Sequence, residues 1–402
     1  MTGTGPLSPL SPLSPLSPLS NAQRLSLRYI PGLDGLRAVA ILIVLLAHLG
    51  LHAFVPGGFG VTLFFFISGM LITRLLLAEH DTGGGIALGR FYVRRLLRLY
   101  PALIAAVACA SLVYWIDGGT MSWGKALSSL LYYANYYGIA YGYSLGHEGF
   151  DPFSILWSLA VEEQYYLVFP LLCLALAGRR KSLTWLLAAI VLATLLWRIN
   201  LHAAGASADR IYMSTDTRID SILYGALLTL LLARDASGVL LRFLSQRIVL
   251  SAAVLLLAAS FLVRDPAFRD TWRYTLQGLA LMPLLATLCF SDALARLTRI
   301  LETHPLRRIG AWSYSLYLFH PIAIVIAEMA WGPESTDLQR VSLWHSAGFA
   351  LTAIVLSFAL ALASYFWIEQ NFLSLRRRFG AHIIDPSSIN DHPPRIGNTA
   401  HE

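Results

Sequence analysis

A chain of 402 residues that is 56% hydrophobic and only 13% charged, with a mean hydropathy of +0.60, is excluded from the soluble enzymes and placed among polytopic membrane proteins. Its net charge of +7 would suggest nucleic acid for a soluble domain, but the basic residues stand in short runs between apolar segments, the positive-inside pattern, so no nucleic-acid partner is implied. The cysteines, Cys109, Cys173 and Cys289, each fall within an apolar run, and neither a disulfide nor a metal role is expected of them.

From Pro6 to Ser20 the chain repeats Pro-Leu-Ser without a core-forming pattern, which predicts a disordered, polyproline-like tail over residues 1–28. The order of a cleaved signal peptide, basic then apolar then small, is missing there. Apolar segments follow at about 34–54, 60–78, 100–116, 154–177, 182–200, 215–233, 248–263, 273–290, 310–330 and 343–368, each near the roughly 20 residues that a bilayer crossing needs. With the amino terminus in the cytosol, all of the 30 Lys and Arg residues fall inside except Lys125, Arg198, Arg210, Arg218, Arg264, Arg269, Arg273 and Arg340. The expected fold is therefore all-α: a polytopic membrane helical bundle of about ten transmembrane helices with both termini cytosolic. The transmembrane domain is expected over 29–375, and a basic, then unstructured tail containing Asp385, Pro386, Pro393 and Pro394 over 376–402.

The first segment, Leu33 to Leu51, carries Arg37 and His48. Eleven residues apart on a helix, they project from one face, about 20° apart and roughly 16 Å along the axis. Keeping an arginine inside a membrane costs roughly 2.5–3.5 kcal/mol on insertion scales, so this polar stripe is a candidate functional site. A cytosolic loop over 79–98 packs Arg90, Arg94, Arg95 and Arg98 into one short helical stretch, where guanidinium forks near a helix start suit phosphate. The external segment from Asp117 to Asp151 is long and rich in aromatics (Trp123, Tyr132, Tyr133, Tyr136, Tyr137, Tyr141, Tyr143), as an interfacial or re-entrant element would be.

Further polar residues mark later segments. Ser68-Gly69 within the second segment suits close helix packing, and no base lies beside Ser68 in sequence to make it a nucleophile. Trp157-Ser158-Leu159 is followed by Glu162 and Glu163, which cannot share a helix face, so at most one points into the bundle, where it could orient His48 as a base. Arg218 and Asp220 open the sixth segment, and His320 and Glu369 lie in the ninth and tenth, as structural pairs or as part of the site.

In this order the motifs resemble the membrane-bound acyltransferase-3 family, inner-membrane O-acyltransferases of lipopolysaccharide, peptidoglycan, exopolysaccharide and some macrolides. Arg37 with His48 is similar to the family's Arg, ten residues, His signature, and Arg95 with Arg98 to its Arg-x-x-Arg pair. Trp157-Ser158-Leu159 with Glu162 and Glu163, Arg218-Ile219-Asp220 with Gly225, and Ser313 to Pro321 resemble further blocks, so the likeness covers Tyr29 to about Phe372. Thr62 departs from a common acidic residue, and Asn371 from the Pro of the final Glu-x-Pro-Phe block. No hydrolase-like periplasmic domain is expected after the membrane core, and acceptor handling is expected from that core or from a separate protein.

The resemblance implies an enzyme of the bacterial plasma (inner) membrane that takes an acyl group, acetyl above all, from cytosolic acyl-CoA to a hydroxyl of a carbohydrate or glycolipid acceptor, without a metal. In that reading His48 is the general base, with Arg37, Glu162 and Glu163 at the catalytic end. Arg94, Arg95 and Arg98 hold the donor's phosphates, and Trp157, Ser68, Arg218, Asp220 and His320 support the site. A proton-coupled transporter or flippase is the rival reading, since intramembrane Arg, His and Glu also suit transport.

Overall fold

Every regular element is helical among the described residues of the computed structural model, which are 29–51, 54–83, 85–118, 122–142, 150–332 and 343–376. The expected tail over 1–28, all but Arg376 of the expected tail over 376–402, and Tyr143 of the aromatic segment lie outside them. The principal helices are α1 (Leu33–His48), α2 (Gly57–Gly83), α3 (Leu88–Ile116), the short α4 (Trp123–Leu130) and α5 (Ala134–Tyr141), α6 (Leu156–Leu176), α7 (Arg180–Ala203), α8 (Thr215–Arg234), α9 (Arg247–Leu262), α10 (Trp272–Phe290), α11 (His304–Ala311), α12 (Ser313–Trp331) and α13 (Leu343–Ser364). Each of the ten expected segments coincides with one of them.

Length and composition qualify fewer of these helices as spans than the ten expected. Six are long and apolar enough to cross a membrane, or seven if Trp272–Phe290 and the bent continuation Asp292–Leu301 form one span. The shortfall has physical causes. Helices α1 and α9 have 16 residues each, about 24 Å of helix against roughly 30 Å of hydrocarbon. Helix α8 is long enough but carries Asp216, Arg218, Asp220 and Arg234. The segment expected to run from 34 to 54 stops at His48: Leu49 donates back to the carbonyls of Leu45 and Leu46, and Gly50 follows at φ +87°, a left-handed conformation that suits glycine. His48 therefore sits at a helix end.

Small residues set how closely the helices approach. A Cβ on Gly69 of α2 would sit 1.9 Å from the carbonyl oxygen of Ile222, and one on Gly225 of α8 would sit 1.9 Å from that of Phe66, so these two helices touch backbone to backbone through reciprocal glycines. Helix α1 is gripped in the same way. Gly60 of α2 approaches the Ala40 carbonyl, and Gly310 of α11 approaches that of Asp34. The stripe of α1 is thus held on both sides by contacts no larger residue permits.

Two buried cations within the bundle are each paired with a carboxylate. Arg198 of α7, fully buried, meets Asp220 of α8 at 2.7 Å and donates to the carbonyls of Thr217 (2.7 Å) and Thr271 (3.1 Å) and to Thr275 Oγ1 (2.7 Å). Lys125 of α4, also buried, pairs with Asp151 and packs over the Tyr114 ring, tying the short aromatic helices to α3 and to the start of α6. Beyond α13 the helix widens into a π turn over Tyr365–Glu369, which brings Glu369 inward to accept a hydrogen bond from Ser315.

Candidate active site

The two polar residues of α1 serve different places. Arg37 lines a cavity of about 1390 Å³, and His48, eleven residues on, is not in its lining. Among the lining residues Arg90, His304 and Arg308 are exposed, whereas Val61, Ser158 and Leu159 are buried, so the cavity runs from a cationic mouth to a closed floor. Arg94, Arg95 and Arg98 of α3 all line it, Arg98 standing four residues after Arg94 and three after Arg95, and Arg74 of α2 with Arg307 of α11 adds charge from other helices. Eight arginines against four carboxylates, Asp34, Glu79, Glu162 and Glu369, leave the lining net cationic, and a partly desolvated cleft of that kind concentrates an anionic ligand.

The guanidinium groups are fixed by neighbours. Arg94 pairs with Glu79 at 3.4 Å, and the same carboxylate accepts from the Ala87 amide at 3.1 Å. Arg95 lies 3.6 Å from the centre of the Tyr166 ring, a cation–π contact; the Tyr166 hydroxyl donates to Glu162 at 3.2 Å, and Ser68 donates to the same carboxylate oxygen. At the mouth, Glu302 accepts from the Tyr29 hydroxyl (2.7 Å) and the Gly32 amide (2.5 Å) and lies 3.9 Å from Arg307. Burial, followed by the hydrogen bond to Glu302, pushes the Tyr29 phenol above its ordinary range, so it stays a donor.

His48 lies past the cavity floor. Its Nδ1 is 3.0 Å from Nε2 of His320, which is fully buried and whose own Nδ1 is 3.0 Å from the Leu316 carbonyl. Phe150 packs edge-on to His48 at 5.4 Å between ring centres. The partition between the cavity and the histidines is Tyr317: it lines the cavity, and its ring centre lies 5.9 Å from that of His320. Its hydroxyl donates to the Ile155 carbonyl at 2.9 Å and is 2.5 Å from Ser158 Oγ.

Several sequence expectations change in this light. Neither Glu162 nor Glu163 hydrogen-bonds to His48 among the described residues; an imidazole takes the orienting place foreseen for a carboxylate. Of the adjacent pair, Glu162 is the one that faces the cavity, while Glu163 interacts electrostatically with Arg95. Ser68, without a neighbouring base in sequence, meets Glu162 from 94 positions away. Trp157, Arg218 and Asp220 lie outside the cavity lining. Arg218 is fully buried among the rings of Tyr274 (4.0 Å), Tyr212 (5.2 Å), Trp157 (5.5 Å) and Phe65 (5.6 Å), and it donates to Thr62 Oγ1 and the Tyr212 carbonyl, both at 3.1 Å. These residues brace the helices behind the site.

Sequence reasoning did not foresee Arg74, Arg307, Arg308 or Tyr317 as parts of the site. The Arg307-Arg308 doublet just before the Ser313 block was a usable signal for the last two arginines.

Comparison with known proteins agrees with this architecture. The acyltransferase-domain family matches residues 30–366. O-acetyltransferase OatA of Staphylococcus aureus is 34% identical over 317 residues, covering 74% of this chain and 51% of that protein. YrhL of Bacillus subtilis, whose name proposes a peptidoglycan O-acetyltransferase, is 33% identical over 385 residues, covering 89% of this chain and 58% of its own. The chain thus spans about half the length of the curated relatives it matches. No solved structure matches it significantly. With several apolar helices long enough to span and a family match over most of its length, the chain is a multi-pass membrane protein that belongs to the acyltransferase-3 family.

Proposed function

We propose that the protein is an O-acetyltransferase of the bacterial plasma membrane, taking acetyl from cytosolic acetyl-CoA to a hydroxyl of a cell-envelope carbohydrate. The observation that carries this reading is the crowding of guanidinium groups from α1, α2, α3 and α11 into one large cavity that ends beside a histidine pair. Coenzyme A is an anionic, phosphate-bearing head on a long arm. Arg94, Arg95 and Arg98 with Arg307 and Arg308 hold the phosphates by charge-assisted bonds at the mouth. The pantetheine arm runs inward along the apolar wall toward Ser158 and Tyr317, and Tyr317 must shift for the thioester to meet His48.

His48 then takes the proton of the acceptor hydroxyl as its oxygen attacks the thioester carbon. The carbon–sulfur bond breaks, the ester forms, and the proton passes to the departing thiolate as free thiol. General-base help of this kind is typically worth about 10²–10⁴ in rate. Peptidoglycan is the favoured acceptor, because the name of YrhL proposes that polymer; O-antigen and exopolysaccharide are the other members of the same chemical class.

The test is direct. Purified protein incubated with acetyl-labelled acetyl-CoA and soluble peptidoglycan fragments is expected to yield base-labile, sugar-bound label. Label that stays on coenzyme A, with protein that still binds it, would overturn the reading and favour a transporter.

A further inference from the structure

We propose that His320 is the positioning residue that fixes the tautomer of His48, so that Nε2 of His48 is the atom that accepts the acceptor's proton; this rests on the acetyl-transfer reading above. An amide oxygen only accepts, so at 3.0 Å from the Leu316 carbonyl, Nδ1 of His320 carries the hydrogen and donates. A neutral imidazole holds one ring proton, which leaves Nε2 of His320 as a bare acceptor. Nδ1 of His48, 3.0 Å away, must therefore be the donor, and its single proton is spent on that bond. The lone pair of His48 is left on Nε2.

The ring geometry supports an aligned hydrogen bond, not a face-to-face stack. The ring centres are 5.2 Å apart with planes 19° from parallel. For an N···N contact of 3.0 Å this is close to the largest centre-to-centre distance that two imidazoles can have, namely the contact plus both ring radii. The N–H···N vector consequently lies along the line of centres and within both ring planes, where the lone pair points. Face-to-face carbons would be about 3.5–4 Å apart.

The neutrality of His320 has a structural basis. It is fully buried, it is held by the backbone of Leu316 and Tyr317 and by His48, and no carboxylate hydrogen-bonds to either ring among the described residues. Burying a lone imidazolium there would leave a charge without a counter-ion. A second proton on His320 would sit on Nε2 and drive the His48 proton to its own Nε2, abolishing the base. The anchor itself is stiff, since Leu316 lies one helical turn before His320 on α12, and Pro321 next to it fixes the backbone.

Two amides separate positioning from packing. In His320→Gln the terminal oxygen reaches the place of Nε2 and accepts from His48; in His320→Asn the shorter amide replaces Nδ1, still able to donate to Leu316 but with nothing to offer His48. With the full chain in detergent, acetyl-CoA as donor and peptidoglycan fragments as acceptor, His320→Asn is expected to lower kcat by about 10²-fold or more, on the scale of a base in the wrong tautomer, with KM for acetyl-CoA unchanged. His320→Gln is expected to stay within about tenfold of wild type. Equal losses in both variants, or wild-type turnover in His320→Asn, would overturn the proposal.

A readout independent of turnover keeps it separable from the acetyl-transfer reading. Nitrogen-15 spectra of histidine-labelled protein should show Nδ1 of both rings protonated, with a nitrogen–nitrogen coupling across the bond that His320→Asn removes. A proton on Nε2 of His48 would refute the relay even in an active enzyme. The predicted tautomers in a protein that leaves acetyl-CoA intact would instead overturn the acetyl-transfer reading alone.

Discussion

The two ends of α1 face opposite kinds of environment. At the Arg37 end the molecule opens a large cavity whose walls are net cationic and whose mouth carries exposed guanidinium groups; at the His48 end a half-buried and a fully buried imidazole pair up beside Tyr317 and Phe150, with no carboxylate hydrogen-bonded to either ring among the described residues. The difference teaches how one helix can serve a polar donor and a proton transfer together. Phosphate recognition needs many like charges near water, where screening and hydration offset their mutual repulsion. A general base needs the reverse, a neutral ring with one free lone pair held by hydrogen bonds. In the proposed reaction, placing the two functions eleven residues apart on a helix gripped by Gly60 and Gly310 would meet both conditions.

Breaking each end should give distinct losses. The largest is expected from His48→Ala, which should lower acetyl transfer by about 10²–10⁴-fold while leaving membrane insertion and acetyl-CoA affinity intact, as measured by radiolabel transfer and by titration with the donor. Next is Asp220→Ala, which leaves the fully buried Arg198 without its carboxylate; a loss of about 3–5 kcal/mol is expected in denaturant unfolding of the solubilised protein. Arg95→Ala and Arg98→Ala should act on the opposite end, each weakening donor binding by about 1.5–3 kcal/mol, seen as a raised KM for acetyl-CoA with kcat little changed. The smallest effect should come from Glu302→Gln at the mouth. It keeps the acceptor for Tyr29 and Gly32 but removes the charge opposite Arg307, and a change of at most about 1 kcal/mol in thermal stability is expected.

The legibility of this molecule in its sequence followed the range of the interaction involved. The ten apolar segments and the helical spacing of Arg94 and Arg95 from Arg98 depend on local periodicity, and each of those segments falls on a helix. Span length was less legible. The end of α1 depends on Gly50 taking a left-handed turn, and apolar composition continues past it without a mark. Least legible were partners distant in sequence. His48 and His320 are 272 positions apart, Ser68 and Glu162 are 94, and nothing in either local pattern says that an imidazole, not a carboxylate, meets His48. The family blocks put these residues on one roster. Only the packing of α1 against α2 and α12 shows which of them touch.

The separation of donor binding from proton transfer is the central claim, and one comparison tests it most directly: acetyl-CoA affinity and acetyl transfer measured side by side in His48→Ala and in the Arg95→Ala, Arg98→Ala double variant. His48→Ala is predicted to bind acetyl-CoA as the wild type does and to transfer almost none of it, whereas the arginine variant binds weakly and recovers transfer as the donor concentration rises. Loss of acetyl-CoA affinity in His48→Ala, or wild-type transfer by it, would contradict the account.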